Sequence, residues 1–380
     1  MTIQKVPFKG CYVCSALGEN PATPITDEHI IPQLIGGRKK KPILCKQHND
    51  FAGDTIDPGL LEIFQTFRVY LGLIPTSKKK PKKWEAIRFK MPDSGQEFYI
   101  NSYGDAYLAD PKVTKTDLGH GKFQLNINAS TDEEIKKLLK QIKNAFPKAD
   151  TENFIRTDAP KDQSTHYNMS VLLAGDQIEK AVTKVAISYA VSEGIDPTDL
   201  KSVIRYCFEK GSGPFVTHID DFLVGMVKNN SFNHTIVLHG SPVTKLLVAF
   251  IEFFGCAPFM VLLSDQYSGN AIDCSYTMDP TKKTLDNCSA KVTLTREDFD
   301  KLFKNDGLVP NGFLDCYKHG LAAAMLRQKS NRSAHEIIEK VFDQMKSEGH
   351  DCVTVKNVGL FSNYFAEEFL SRRLKERQTP

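Results

Sequence analysis

Apolar residues recur at helical spacing in five parts of the chain. A separation of three or four positions places side chains on one face of a helix, so each part predicts an amphipathic helix. The predicted helices cover residues 60–71, 135–146, 178–189, 335–345 and 364–377. The second follows a capping signature at 130–133, which favours a helix start, and the third leads to Gly194, which favours a helix end.

Other apolar runs are short and rich in aromatic and β-branched residues, which is typical of β-strands. The predicted strands cover residues 84–89, 98–100, 123–127, 235–239 and 259–263. Residues 246–254 are apolar except for Glu252, and such a run fits either a strand or a helix. The mixture predicts an α+β fold.

The length of 380 residues is sufficient for two or three domains. We predict a first domain at 1–75, a β-rich region ending in a helix at 76–150, and a mixed α+β C-terminal domain of unknown role at 160–380. A polar stretch at 148–165 is a plausible linker between the last two.

Several protein classes are not favoured by the composition. No run approaches the roughly 18 apolar residues that a membrane helix requires, and the first residues lack the apolar core of a secretory signal. We therefore expect a cytoplasmic protein. The nine cysteines, an odd number, are expected to be thiols or metal ligands in a reducing compartment.

Two close pairs of metal-ligand residues stand 30 residues apart: Cys11-x2-Cys14 and Cys45-x2-His48. This spacing lets one turn present two ligands to a tetrahedral Zn²⁺, and three thiolates with one imidazole make a closed, structural site. The alternative is that the cysteines are buried apolar residues and His48 a surface residue.

Between these pairs lie the segment EHIIP at 28–32 and two glycines at 36–37, and Asn49 follows His48 directly. In these features the sequence resembles the HNH endonuclease family, specifically a zinc-stapled subgroup with an EHIIP segment, a Gly-Gly pair and a C-x2-C/H-N motif. The resemblance continues to about residue 60 and covers roughly a sixth of the chain.

The resemblance implies a ββα-metal finger at the N-terminus. His29 would end the first strand as the general base, Asn49 would lie on the following helix, and Glu28 would be the acidic ligand of a catalytic Mg²⁺ or Mn²⁺. The residue types suit this chemistry independently, because a neutral histidine can deprotonate water and oxygen ligands suit a hard cation. The cation would stabilise the charge on the leaving 3′ oxygen of DNA.

Each of these residues also has a plainer interpretation. His29 could be structural, Glu28 could be exposed or could orient His29, and Asn49 could cap a helix. Asp57 is equally consistent with a turn, a cap or a functional role.

The sequence departs from the family pattern in two places. Family members often have an asparagine before the second ligand pair, bracing the histidine, but residues 38–44 contain none. This departure weakens the prediction of full activity, although a backbone carbonyl could replace the asparagine. His48 also replaces the cysteine commonly found as the fourth zinc ligand, which is chemically benign.

Two basic runs lie in the first quarter of the chain, and solvated loops are the usual explanation of such runs. Beside a nuclease site they predict phosphate contacts. The predicted DNA contacts are Arg38, Lys39, Lys40, Lys41, Lys79 and Lys80. Scattered polar residues farther on invite a metal-site hypothesis, but their spacing fits separate, satisfied side chains better; they are His218, Asp220, Asp221, His234 and His239.

Three hypotheses follow for function. The first is a DNA endonuclease whose other domains position substrate or regulate access, with a homodimer as one arrangement. The second is a non-catalytic zinc-dependent DNA-binding module. The third is an effector of bacterial antiviral defence, in which a nucleotide or protein activator is sensed by the C-terminal half.

Overall fold

A computed structural model provides the structure of the chain. It describes residues 8–73, 86–90, 95–101, 106–120, 122–150, 171–213, 215–220, 232–282, 284–286, 292, 294–303, 308–350, 352–354 and 357–378. The predicted strand at 84–89 lies partly outside these residues, and the predicted linker at 148–165 lies mostly outside them.

The N-terminal part is built around a two-stranded antiparallel hairpin that is followed at once by a helix. Its elements are α1 (Tyr12–Leu17), β1 (Ile25–His29), β2 (Lys40–Cys45), α2 (Lys46–Phe51) and α3 (Gly59–Tyr70). One turn of π-helix, Ala52–Ile56, follows α2 and leads to α3. The order of two strands and one helix agrees with the expected ββα finger.

In the described segments of the middle part, five short strands are followed by a helix. The strands β3 (Ile87–Lys90), β4 (Glu97–Ile100) and β5 (Ala106–Leu108) form one antiparallel sheet, and β6 (Lys112–Gly119) pairs with β7 (Lys122–Asn128). Helix α4 (Asp132–Ala145) begins where the Thr131 side chain accepts a hydrogen bond from the Glu134 amide. The capping signature therefore predicted this helix start correctly.

Among the residues described, the C-terminal part begins with two helices that lead to the main sheet. Helices α5 (Asp176–Ser192) and α6 (Lys201–Phe208) precede six antiparallel strands in the spatial order β13-β12-β9-β10-β11-β8. The strands are β8 (Val216–His218), β9 (His234–Ser241), β10 (Leu246–Phe253), β11 (Ala257–Ser264), β12 (Ile272–Asp279) and β13 (Thr284–Asp286).

Both faces of this sheet are covered, which explains the ambiguous apolar run. In β10, Leu247, Ala249 and Ile251 join the main core, whereas Val248 and Phe250 face a second core beneath α7 (Arg296–Leu302). A strand buried on both sides has no polar face, so its sequence shows no alternation.

Two long helices end the chain. Helix α8 (Asn311–Ser347) begins after Pro310 and is far longer than the predicted 335–345, and α9 (Val358–Gln378) packs beside it. The first half of α8 contacts the rest of the protein through buried Phe313, Tyr317 and Ala324. In the described ranges, no helix combines the length and the apolar character that a bilayer crossing requires.

The finger and the C-terminal part share one hydrophobic core. That core runs from Cys11 and Tyr12 through α3 and α5 to the inner face of the main sheet. At the contact, the Tyr12 hydroxyl lies 3.4 Å from the Ser188 hydroxyl on α5. The predicted domain boundaries stay predictions, but the finger does not stand apart from α5.

Candidate metal and nuclease site

Four ligand residues of the finger meet at one point. Cys11 precedes α1, Cys14 lies in α1, Cys45 ends β2 and His48 lies in α2. Their ligand atoms all lie within 4.8 Å of one another, and His48 Nδ1 is 3.4, 3.6 and 3.2 Å from the sulfurs of Cys11, Cys14 and Cys45.

This cluster is compatible with zinc. Metal–ligand distances of about 2.0 to 2.3 Å place the corners of a tetrahedral zinc site roughly 3.5 Å apart, close to the observed separations. Burial and the neighbouring Cys11 and Cys45 thiols raise the pKa of Cys14 to about 12. The Cys14 thiol therefore needs a nearby cation to become a thiolate, and a bound Zn²⁺ would supply that charge.

His29 is the last residue of β1 and lies opposite Lys40 of β2. Its side chain is half-buried, and among the residues the structure describes its ring has no hydrogen-bond partner. Burial lowers the pKa of His29, the charges of Lys40 and Lys184 lower it further, and Asp57 and Asp27 oppose them. The ring is therefore mainly neutral at pH 7, as a general base requires. No side chain among the described residues takes the bracing place of the missing asparagine.

Asn49 is anchored to the strand that carries His29. Its Nδ2 donates to Thr26 Oγ1 at 2.9 Å and to the Asp27 carbonyl oxygen at 3.1 Å. The Asp27 carbonyl oxygen can only accept a hydrogen bond, so the Nδ2 end of the Asn49 carboxamide must face it. The other end of the carboxamide, Oδ1, therefore points away from the Asp27 carbonyl. Within the described part of the chain, Oδ1 has no hydrogen-bond partner.

Glu28 lies apart from this arrangement. It is buried, with 3% of its surface exposed, and its carboxylate contacts the Lys184 ammonium directly. The same ammonium lies 3.0 Å from Asp57 Oδ1. A role for Glu28 as a metal ligand stays a prediction. Nothing in the local sequence indicated Lys184, which reaches the site from α5.

The Gly-Gly loop is set by a close backbone contact. Gly36 has φ = +95°, and a Cβ on Gly37 would lie 1.7 Å from the Ile31 carbonyl oxygen. The Gly37 amide also donates to the Pro32 carbonyl oxygen at 3.1 Å. Only glycine fits at 37, so the chain can fold back tightly between β1 and β2.

The basic loop divides into exposed and engaged residues. Arg38 and Lys40 are exposed and Lys41 is half-buried. Lys39 instead pairs with Glu193 at 3.0 Å, and its ammonium lies over the Tyr189 and Tyr276 rings at 4.9 and 5.1 Å. Contact of these four residues with DNA stays a prediction, and Lys79 and Lys80 lie outside the described residues.

Three histidines considered above as possible metal ligands are separate and each has a partner, as their spacing predicted. His218 Nε2 donates to the Leu173 carbonyl oxygen and His234 Nε2 to that of Ile35, both at 2.9 Å, and His239 Nδ1 lies 2.7 Å from Asp273 Oδ1. Asp220 Oδ1 accepts from the Gly312 amide at 3.1 Å, and Asp221 lies outside the described residues. Within the described ranges, the zinc-compatible cluster alone combines three or more His, Cys, Asp or Glu ligands.

Comparison with known proteins identifies the finger. The family model described as HNH endonuclease matches residues 11–65. No curated protein and no solved structure matches the chain. The matched segment contains both ligand pairs, His29 and Asn49, and it follows the observed order of two strands and one helix. Residues 11–65 are therefore an HNH endonuclease family domain with a cluster that is compatible with zinc.

Proposed function

We propose that the chain is a metal-dependent endonuclease that hydrolyses phosphodiester bonds of DNA. The observation that carries this proposal is a half-buried His29, without a hydrogen-bond partner among the described residues, on the same strand to which Asn49 is anchored at residues 26 and 27. A binding-only zinc module, the alternative class, has no need for a free histidine in this position.

His29 would accept the proton of a water molecule as the water oxygen forms a bond to phosphorus. The bond from phosphorus to the 3′ oxygen then breaks, and that oxygen leaves with the electron pair. A bound Mg²⁺ or Mn²⁺ would supply charge stabilisation for the leaving oxygen. The Asn49 carboxamide oxygen and an acidic side chain of β1 would hold the cation, and the sequence predicts Glu28 as that side chain. Cys11, Cys14, Cys45 and His48 would hold Zn²⁺ as a structural ion.

The exposed basic residues of the loop fit a polyanionic substrate. Exposed Lys40 pairs with His29 across the hairpin and exposed Arg38 lies two residues before it, so both would place phosphates beside His29. Half-buried Lys41 pairs with Glu28 and would contact phosphates farther from His29. Lys39 is held by Glu193 and two rings, so its contribution would require release from these contacts.

The test is cleavage of supercoiled plasmid by the zinc-loaded protein with Mg²⁺ or Mn²⁺. We expect nicked or linear product, a loss of at least about 100-fold in His29→Ala, and no product with excess chelator. His319→Ala, an exposed histidine on α8, is the matched control and should cleave like the wild type. Equal cleavage by His29→Ala and the wild type would refute the assignment of the base.

A gated form of this function has one structural support. Helix α5 contacts both the finger and the strands of the main sheet, so a ligand that moves the sheet would act on the finger. In that case the purified protein stays inactive until a nucleotide or protein activator, such as one in an antiviral defence pathway, is added. Adding cell extract or nucleotide messengers to the plasmid assay distinguishes this form from a constitutive nuclease.

A further inference from the structure

The hairpin of β6 and β7 has an inner face that packs on α4. Cross-strand partners share a face, and successive residues of a strand point to opposite faces. On the inner face the rings of Phe123 and Phe146 lie 5.1 Å apart, and the Lys115 ammonium lies 4.4 Å from the centre of the Phe123 ring. Val113 and Ile127, a cross-strand pair on this face, are half-buried. Helix α4 thus supports the hairpin from behind.

The outer face of the same hairpin is exposed and polar. Three cross-strand pairs of exposed residues form it: Lys112 with Asn128, Thr114 with Asn126, and Thr116 with Gln124. Exposed Lys122 extends the face at the tip, and Asp117, the one acidic residue in the sequence 112–128, belongs to the inner face. The outer face therefore has a positive charge at each end and hydrogen-bonding groups between them.

The dimensions of this face match the major groove of duplex DNA. Paired strands lie about 4.8 Å apart, and the groove is about 12 Å wide, which admits two strands. Side chains on one face recur about every 6.8 Å along a strand, and base pairs stack about 3.4 Å apart. Successive cross-strand pairs would therefore meet every second base pair, and the three pairs would cover about five base pairs.

The side chains between the two lysines suit the edges of bases. Asn and Gln can pair with the acceptor and donor that adenine presents in the major groove, and Thr can contact any base. Gln124 Nε2 donates to Asn126 Oδ1 at 2.9 Å, so the two carboxamides are held side by side on the outer face. The other ends of these carboxamides, the Gln124 carbonyl oxygen and the Asn126 Nδ2, supply one acceptor and one donor.

Other partners fit this face less well than duplex DNA. Single strands stack on aromatic side chains, but the aromatic residue of the hairpin, Phe123, belongs to the inner face. The major groove of duplex RNA is too narrow for a ribbon to read. The core of a protein interface is rich in apolar and aromatic side chains, whereas all of the cross-strand pairs of the outer face are polar.

We propose that the outer face of the β6–β7 hairpin is a ribbon that enters the major groove of DNA and reads its sequence. Lys112 and Lys122 contact phosphates, and the Thr, Gln and Asn side chains between them contact base edges. The proposal rests on the proposed nuclease function, because it gives a DNA endonuclease a means of choosing where to bind.

The first experiment measures binding of the full-length, zinc-loaded protein to a short labelled DNA duplex of mixed sequence by fluorescence anisotropy. The buffer contains neither Mg²⁺ nor Mn²⁺, so the DNA stays intact, and the salt concentration is varied. The test variant is Lys112→Gln, Lys122→Gln. The matched control is Lys318→Gln, Lys329→Gln, which removes two exposed lysines of α8. Thermal unfolding is recorded for every variant.

Loss of two phosphate contacts has a defined signature. The test variant should bind at least about tenfold more weakly at about 0.1 M salt, and the slope of log K against log salt concentration should fall by about 1.8. The control should bind within about twofold of the wild type, and all melting temperatures should agree because the substituted side chains are exposed.

The second experiment tests base reading by selection from a pool of duplexes with randomised bases. The wild type should enrich one sequence of about five base pairs. Gln124→Ala, Asn126→Ala should keep the salt slope but lose at least about fivefold in discrimination within that sequence. The matched control is Gln141→Ala, Asn144→Ala, which removes the same two side-chain types from the exposed surface of α4; it should select like the wild type.

Equal weakening by the two lysine double variants would show a general effect of charge and overturn the proposal. So would tighter binding of a single strand than of the duplex, no enrichment by the wild type, or unchanged discrimination by Gln124→Ala, Asn126→Ala. Failure of the proposed function gives a different result, in which the hairpin variants lose DNA binding as expected but the wild type leaves plasmid uncut with Mg²⁺ or Mn²⁺.

Discussion

His234 shows how one buried side chain connects the main sheet to the finger. Its Nε2 donates to the Ile35 carbonyl oxygen at 2.9 Å, and its Nδ1 accepts from the Phe254 amide at 3.3 Å. Both bonds exist only for the neutral ring protonated at Nε2. Burial lowers the pKa of His234 to about 4, and the bond to Ile35 only partly opposes this.

We expect this histidine to make the protein less stable in weak acid. The folded-state pKa is below the unfolded value near 6.5, so its stabilisation is complete above pH 6.5 and is lost as the pH falls towards 4. The difference corresponds to about 3 kcal/mol in the free energy of unfolding. Urea unfolding between pH 4.5 and 7 should show a shallower pH slope for His234→Gln than for the wild type.

The control for this measurement is His319→Gln, since His319 is exposed on α8. His218, whose pKa burial also lowers, contributes to the slope of both proteins and cancels in the comparison. Identical slopes for His234→Gln and the wild type would contradict the prediction.

The candidate site was predictable at the residue scale where its chemistry is local. Cys11 with Cys14, and Cys45 with His48, stand at spacings that one turn can present to a metal, and both pairs meet in the structure. The contact of Lys184 with Glu28 spans 156 residues and leaves no periodic trace in the sequence. Charge pairs formed by tertiary packing have no local pattern and were therefore missed.

The connection between β1 and β2 is the element on which the geometry of the finger depends most. The chain turns through the 3-10 helix Gln33–Ile35, and Gly36 and Gly37 bring it back beside Ile31. The position of His29 opposite Lys40 follows from this return, because the loop fixes the register of the two strands.

Gly37→Ala should therefore disrupt the hairpin. A Cβ at 1.7 Å from the Ile31 carbonyl oxygen must displace backbone, and we expect a loss of at least about 2 kcal/mol in the free energy of unfolding. Gly53→Ala, in the same domain, is the matched control: nothing lies within 4 Å of the position that its Cβ would take, and the change should stay within about 1 kcal/mol. Thermal unfolding measures both, and equal melting temperatures would show that the hairpin tolerates a side chain at 37.

Prediction of the elements succeeded where apolar spacing was regular. Helices α3, α4 and α5 were predicted from such stripes. Helix α8 was predicted only in its second half, because residues 327–334 are polar or small and interrupt the stripe. Pairing partners in the main sheet were not predictable, since antiparallel neighbours such as β12 and β9 are brought together by folding, not by local sequence.

At the scale of the whole molecule, the zinc-compatible cluster is packed against the C-terminal part. The Phe208 ring on α6 lies 5.9 Å from the ring of His48, 5.9 Å from that of Phe51 and 6.0 Å from that of Tyr12. His48 is thus both a ligand residue of the cluster and part of the contact with α6.

Removal of the metal should consequently loosen more than the finger. We expect about one zinc per chain in metal analysis, and none in the Cys11→Ser, Cys45→Ser double variant. With zinc chelated, amide hydrogen exchange should accelerate in α1 and α2 and also in α6 around Phe208. The hairpin of β6 and β7, which does not contact the cluster, serves as the internal reference; acceleration confined to α1 and α2 would contradict the prediction.

The shared core between the finger and α5 has a consequence for engineering. A chimaera that carries only residues 11–65 would expose Tyr12 and leave Glu28 and Asp57 without the lysine that pairs with both of them. The portable unit is then larger than the family motif and includes α5. A designer who moves this finger to another scaffold needs to transfer that helix with it, or to replace the buried charges by apolar residues.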